Sequence, residues 1–232
     1  MADDLSARFE AVRDSVEASA RAAGRDPREV TLISVSKTHP ADVVDRAVAA
    51  GAVDLGENRV QEAQAKKPGV RPARWHLIGP LQRNKVKTAL EIFDIVHTVD
   101  RVELANRLQL LLERDWPGRV LEVLLEVNVG DEEQKAGVTV DGALSLLDAV
   151  LGMDRLAVRG LMAIPPFGLE AEASRPYFRS LRELRDRLQD GTGHPLPHLS
   201  MGMSHDFETA IAVGATMVRV GTAIFGPRRP RS

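Results

Sequence analysis

Thr31-Leu32-Ile33-Ser34-Val35-Ser36-Lys37 is the stretch on which the fold turns. The run is rich in β-branched and apolar residues and lacks a clean inside–outside alternation, as strands do when both faces of a parallel sheet are covered. Thr38-His39-Pro40 follows, then a helical pattern over residues 41–50. Strand, short loop and helix make the unit of a parallel α/β fold. Lys37 at the strand's end has two readings. It can be a solvated charge, or it can sit in a covered pocket, where burial disfavours the ammonium form and lowers the pKa, as a Schiff-base lysine requires.

Outward from this unit the same alternation repeats. Further strands are expected over residues 52–55, 75–78, 95–98, 120–127, 156–162, 198–200 and 217–220. Helices are expected over 59–66, 84–93, 101–114, 140–151, 175–189 and 205–213, with an amphipathic helix over 3–23 ahead of the first strand. Roughly eight strand–helix units close a (β/α)8 barrel of the TIM type, here with an extra N-terminal helix. An open doubly wound sheet is the competing architecture, weakened because no Gly-x-Gly-x-x-Gly turn follows the first strand. No linker, repeat or low-complexity segment divides the chain, so a single domain over 1–232 is expected. Residues 227–232 read as a short mobile tail.

Composition narrows the function classes. The chain has 232 residues, 44% hydrophobic and 28% charged, and a net charge of −2. Nothing in that balance favours nucleic acid or an anionic membrane. No apolar run approaches a bilayer span. The absence of cysteine removes disulfides, thiolate nucleophiles and thiolate metal sites. The acidic start, Met1-Ala2-Asp3-Asp4, has no apolar signal core, so a cytoplasmic location is expected; a monomeric state is expected as well.

In such a barrel the active face lies at the C-terminal ends of the strands, and the last two loops often hold phosphate. Those loops are expected to be Ser200-Met201-Gly202-Met203-Ser204 and Val220-Gly221-Thr222-Ala223. Glycine admits close backbone approach and the hydroxyls add donors. The helix after Ser204 would turn its positive end toward the same place. Arg219, in the last strand, needs an acceptor. It is either paired with Glu57 or Glu126, or it donates to a ligand ring nitrogen or anion. Asn58, after the second strand, is either an N-cap or a ligand contact. His76 and His97 fall in strands and read as core histidines that can line the pocket. No spacing suggests a metal. Lys135 reads as a loop charge, and Trp75 and Trp116 as packing residues.

Several segments carry a resemblance. Val35-Ser36-Lys37-Thr38, Gly56-Glu57-Asn58 and Trp75-His76-Leu77-Ile78-Gly79-Pro80-Leu81-Gln82-Arg83-Asn84-Lys85 are similar to motifs of the pyridoxal phosphate homeostasis proteins. So are Arg159-Gly160-Leu161-Met162-Ala163-Ile164, Leu199-Ser200-Met201-Gly202-Met203-Ser204 and the run Met217-Val218-Arg219-Val220-Gly221-Thr222-Ala223-Ile224-Phe225-Gly226. The resemblance covers residues 30–226. It implies a single barrel similar to the N-terminal domain of alanine racemase, binding pyridoxal 5′-phosphate. By that likeness Lys37 forms the internal aldimine, and Ser204, Gly221 and Thr222 hold the phosphate with the backbone of Ser200 or Met203 nearby. Arg219 would contact the pyridine nitrogen and Asn58 would sit beside the cofactor. The implied role is holding and supplying the cofactor, with apo-enzymes as recipients. The alternative is a racemase-like enzyme. A racemase of that type takes a tyrosine base from a second domain, whereas Tyr177, the only tyrosine, is expected in a helix.

Overall fold

The computed structural model describes residues 4–132 and 134–227. The expected tail from Arg228 onward, and the first three residues, lie outside that range. Eight parallel strands form the wall: β1 Thr31–Val35, β2 Asp54–Glu57, β3 Arg74–Leu77, β4 Ile95–Val99, β5 Leu121–Asn128, β7 Leu156–Met162, β8 His198–Met203 and β9 Met217–Val220. The order β4-β3-β2-β1-β9-β8-β7-β5 is closed by a β4–β5 pairing. A short β6, Val138–Thr139, pairs with the C-terminal end of β5. This is the closed (β/α)8 barrel expected from the alternation, and the open sheet is excluded.

The helices form the outer layer: α1 Asp4–Ala22, α2 Ala41–Ala49, α3 Val60–Lys66, α4 Val86–Ile92, α5 Val102–Asp115, α6 Ala143–Leu151, α7 Arg175–Thr192, α8 Phe207–Val213 and α9 Thr222–Phe225. Leu5, Phe9, Val12 and Val16 are buried along one stripe of α1. The stripe is the one read from the sequence, and it packs this extra helix against α8, α9 and α2. Arg8 Nε donates to the Ile224 carbonyl at 2.8 Å, tying α1 to the last turn of the barrel.

Most of the apolar core lies between strands and helices. Inside the barrel a smaller cluster of Ile33, Ile95, Leu124, Met162 and Met217 fills the centre. Several buried polar side chains share the interior with it, among them His76, His97, Ser200 and Arg219, and that is where the site departs from an ordinary barrel.

Two strand ends differ from the expectation: the second strand, expected over 52–55, runs from Asp54 to Glu57, and β8 runs further than expected. The expected loop from Ser200 to Ser204 is strand as far as Met203. Between Ser200 and Met203 the register against β9 gains one residue, a β-bulge. Gly202 sits there at φ 92, and a Cβ at that position would lie 2.6 Å from the Cβ of Ala210. The glycine that read as a loop signal is the hinge of a bulged strand.

Candidate cofactor site

Lys37 emerges just past β1 at the C-terminal mouth, half-buried. The backbone on either side of it is held by α3. Val60, Ala63 and Lys66 share the buried face of that helix, so a lysine is carried into the layer beneath Lys37. Lys66 Nζ donates to the Ser36 carbonyl at 2.8 Å and to Glu57 Oε1 at 2.6 Å. The Ser36 hydroxyl donates to the same Oε1 at 2.6 Å. Thr38 N–H donates to Glu62 Oε2 at 3.0 Å. Thr38 itself sits at φ 70, a region that β-branched residues rarely enter. Burial pushes the Glu57 carboxyl above its ordinary pKa, while Lys66 and Ser36 pull it back.

Beside this corner, β9 pairs with β1 and β8. The Gly221 N–H donates to the Ser204 hydroxyl at 3.2 Å, which joins the two expected phosphate loops. A Cβ on Gly221 would lie 3.2 Å from the Val35 carbonyl oxygen, so the loop passes close behind Lys37's strand. Ser204 and Gly221 are half-buried and Thr222 is exposed. The Met203 N–H is committed to Asp206 Oδ1 at 2.6 Å. α8 begins only at Phe207, after that buried carboxylate. Ser204 and Gly221 are thus joined at the mouth, Thr222 follows them, and the buried Asp206 carboxyl lies behind.

Ser200 and Arg219 lie deeper. Both are buried in the barrel wall. Arg219 Nη1 donates to Ser200 Oγ at 2.7 Å and Nη2 to the Ala163 carbonyl at 2.9 Å. The expected carboxylate partners are used elsewhere or stand off. Glu57 is taken by Lys66, and Glu126 acts on Arg219 only through its field. Burial lowers the Arg219 pKa to about 10, with Asp206 and Glu126 opposing the shift. Below Arg219, His97 Nδ1 lies 2.9 Å from Ser200 Oγ, His97 Nε2 lies 2.9 Å from His76 Nδ1, and His76 Nε2 lies 2.8 Å from Asp54 Oδ1. Both histidines are thus satisfied core residues inside the barrel.

Comparison with known proteins places this arrangement. The alanine racemase N-terminal domain family matches residues 9–229. The pyridoxal phosphate homeostasis protein of Aquifex aeolicus is 43% identical, over 96% of this chain and 97% of its own length. That of Escherichia coli K12 is also 43% identical, over 97% of each chain. This chain belongs to the pyridoxal phosphate homeostasis protein family. A solved family member, PipY of Synechococcus elongatus with pyridoxal phosphate bound, superposes with a TM-score of 0.84 at 36% identity, over 96% of this chain and all of that one. A D-threonine aldolase from Filomicrobium marinum shares the barrel at 15% identity and a TM-score of 0.76, over 98% of this chain and 62% of its own. That likeness shows the fold alone.

In this homeostasis-family barrel the remaining expected residues fall as follows. Asn58 is not an N-cap, because Arg59 occupies that position of α3. The Asn58 Oδ1 is buried without a hydrogen-bond partner among the described residues. Asn58 also borders a concavity of about 660 Å³, together with Arg59, Pro80, Gln82 and Lys85. Lys135 is more than a loop charge. It pairs with Glu132 at 2.5 Å and donates to the Pro165 carbonyl at 3.0 Å, joining the loops after β5 and β7. Tyr177 is half-buried on α7, in the outer layer. Trp75 is core and Trp116 packs partly buried against it, as read. Among the described residues no helix is long and apolar enough to cross a membrane.

Sequence reasoning missed Lys66, Asp54, Asp206 and the state of Glu126. The Lys66 signal was present: residues 60, 63 and 66 are one helical face. Glu126 is buried near Asp100 with its Oε2 unpartnered, and desolvation raises its pKa to about 7.

Proposed function

We propose that this chain binds pyridoxal 5′-phosphate at the barrel mouth, holds it as a Schiff base on Lys37, and supplies or buffers the cofactor in the cytoplasm without turning over amino acids. The observation that carries this reading is the convergence, on adjoining strands of one mouth, of an amine and a hydroxyl–glycine cradle. Lys37 leaves β1, and the joined Ser204 and Gly221 loops leave β8 and β9 beside it. The other residues fit the same group. Arg219 spends two of its donors on Ser200 and Ala163, and its remaining N–H groups have no hydrogen-bond partner among the described residues. Asn58 offers an unpartnered amide oxygen.

In this reading Lys37 Nζ takes the aldehyde carbon and Ser204, Gly221 and Thr222 donate to the phosphate. Arg219 donates to the ring nitrogen, and Asn58 sits beside the ring. When bound, the cofactor supplies an electrophilic carbon conjugated to an electron-withdrawing ring. An arginine donor in place of a carboxylate leaves that ring nitrogen unprotonated, which weakens the electron withdrawal that amino-acid chemistry uses. Tyr177, out on α7, offers no second base. The name shared by the relatives, homeostasis protein, agrees.

The test is spectroscopic. Purified protein loaded with the cofactor should show the visible Schiff-base band, and borohydride should fix the adduct to a Lys37 peptide. Lys37→Ala should lose the band and keep its thermal transition. Loaded protein should activate an apo-enzyme in a mixing assay, with no racemase or transaminase turnover above the free cofactor. An adduct on Lys135 alone would overturn the site assignment. Robust turnover lost in Lys37→Ala would make the chain an enzyme.

A further inference from the structure

The interior of this barrel holds a file of polar groups that an ordinary barrel would replace with aliphatic side chains. Asp54, His76, His97, Ser200 and Arg219 come from β2, β3, β4, β8 and β9. Each is hydrogen-bonded to the next, at 2.8, 2.9, 2.9 and 2.7 Å. Burying so many polar groups is costly unless every one is satisfied.

Donor and acceptor chemistry fixes how the file is satisfied. Arginine only donates, so Ser200 Oγ accepts from Nη1 and has one proton left to give. That proton goes to His97 Nδ1. His97 is fully buried, and desolvation, with the fields of His76, Arg219, His198 and Arg74 added, holds its pKa well below the usual histidine value. It therefore carries a single proton, on Nε2, which it gives to His76 Nδ1. His76 in turn carries its proton on Nε2 and gives it to Asp54. Every bond points the same way, away from a buried cation and toward a carboxylate at the start of β2 whose side chain is 15% exposed. A chain with all its dipoles aligned is cooperative, and a break at one link weakens the others.

We infer that Asp54, His76, His97 and Ser200 are positioning residues that lock the Arg219 guanidinium in one orientation, so that its unpartnered N–H groups are presented to the ring nitrogen of the bound cofactor. This rests on the proposed cofactor reading. In this arrangement only Arg219 meets the ligand, and the other four act through it. They act by denying Arg219 the freedom to rotate toward Glu126 or Asp206, the two carboxylates whose fields it feels.

The experiment compares pyridoxal phosphate with its 1-deaza analogue, in which a C–H replaces the ring nitrogen. Both keep the phosphate and the aldehyde. A hydrogen bond to a charged donor corresponds to roughly a tenfold preference or more for the ring nitrogen in the wild type. Ser200→Ala and His97→Leu should collapse that preference toward unity while both ligands still form the Schiff base. Ser200→Thr, which retains the hydroxyl, should restore it. Asp54→Asn, at the accessible end, keeps the acceptor and should reduce the preference only in part. In an Arg219→Met background none of these changes should have any further effect on the ratio. Thermal transitions identify any variant that fails to fold, and Ser200→Thr and Asp54→Asn then carry the test. A preference unchanged in Asp54→Asn, Ser200→Ala and His97→Leu would overturn the inference with the cofactor site intact. A wild type that forms a Schiff base with neither ligand would instead overturn the reading beneath it.

Discussion

Glu57 and Glu126 both stand near the C-terminal end of a barrel strand, both are buried, and the protein keeps them by opposite means. Glu57 faces the layer between strand and helix. There Lys66 and Ser36 both reach its Oε1 at 2.6 Å. Glu126 shares the parity of Leu124 on β5 and faces the barrel interior. Its Oε2 finds no hydrogen-bond partner among the described residues, Asp100 repels its charge, and burial holds its pKa at about 7. One carboxylate is made tolerable by a cation, the other by keeping its proton. The difference shows where this fold spends order. The Lys37 corner is pinned by charge, whereas the facing wall is left electrostatically soft.

Breaking the pinned side should cost most. Lys66→Met strands Glu57 in the layer, and removing one partner of a buried pair destabilises by about 3–5 kcal/mol. Urea unfolding at neutral pH checks this. The deficit should shrink as the pH is lowered, because an unpaired Glu57 then takes up a proton. Adding Glu57→Gln should recover much of it. Equal stability of Lys66→Met and wild type at neutral pH would mean that the pair is not formed.

The soft side should respond with the opposite sign. The unfolded chain releases the Glu126 proton near its ordinary pKa of 4.5, and the folded chain keeps it to about 7. Between those values the folded state binds more protons, so stability falls as pH rises. Glu126→Gln mimics the protonated form and removes that loss. It should be nearly neutral at pH 4 and stabilising at pH 8, by up to ~3 kcal/mol for a shift of this size. Stability curves that stay parallel from pH 4 to pH 8 would place the carboxyl in an ordinary, hydrated setting.

How much of this was legible follows from what a strand's own residues encode. The barrel was readable because doubly covered strands are apolar runs and the alternation with helices is local. Lys37 was readable because a charge at the end of such a run is out of place. The end of β8 was misjudged because Gly202 breaks strands as often as it bulges them, and only the register against β9 decides which. His76 and His97 read correctly as core histidines, but their partners could not be read. Asp54, Ser200 and Arg219 meet them through the relative stagger of five strands, a property of no single segment. Lys66 is legible only from its place on an apolar helical face, because most lysines near a helix end are solvated.

Thr38 sharpens the comparison at its finest scale. Its backbone at φ 70 stores strain that the surrounding contacts must hold, of order 1–3 kcal/mol for a non-glycine residue there. Glu62 holds one side through the Thr38 N–H, and Lys66 holds the other through the Ser36 carbonyl. Thr38→Gly relieves the strain and at the same time loosens the unfolded chain, which costs up to about 1 kcal/mol. The two terms oppose each other, so stability should rise by no more than about 2 kcal/mol. The effect should appear also in the rate at which the Schiff-base band develops after mixing with cofactor. A freely turning residue 38 lets the Lys37 backbone sample orientations away from the cradle, and the rate should fall severalfold while the final amplitude holds. If Thr38→Gly gains stability and loads the cofactor at the wild-type rate, the strain does no positioning, and the charge pair at Lys66 serves only to hold the fold together.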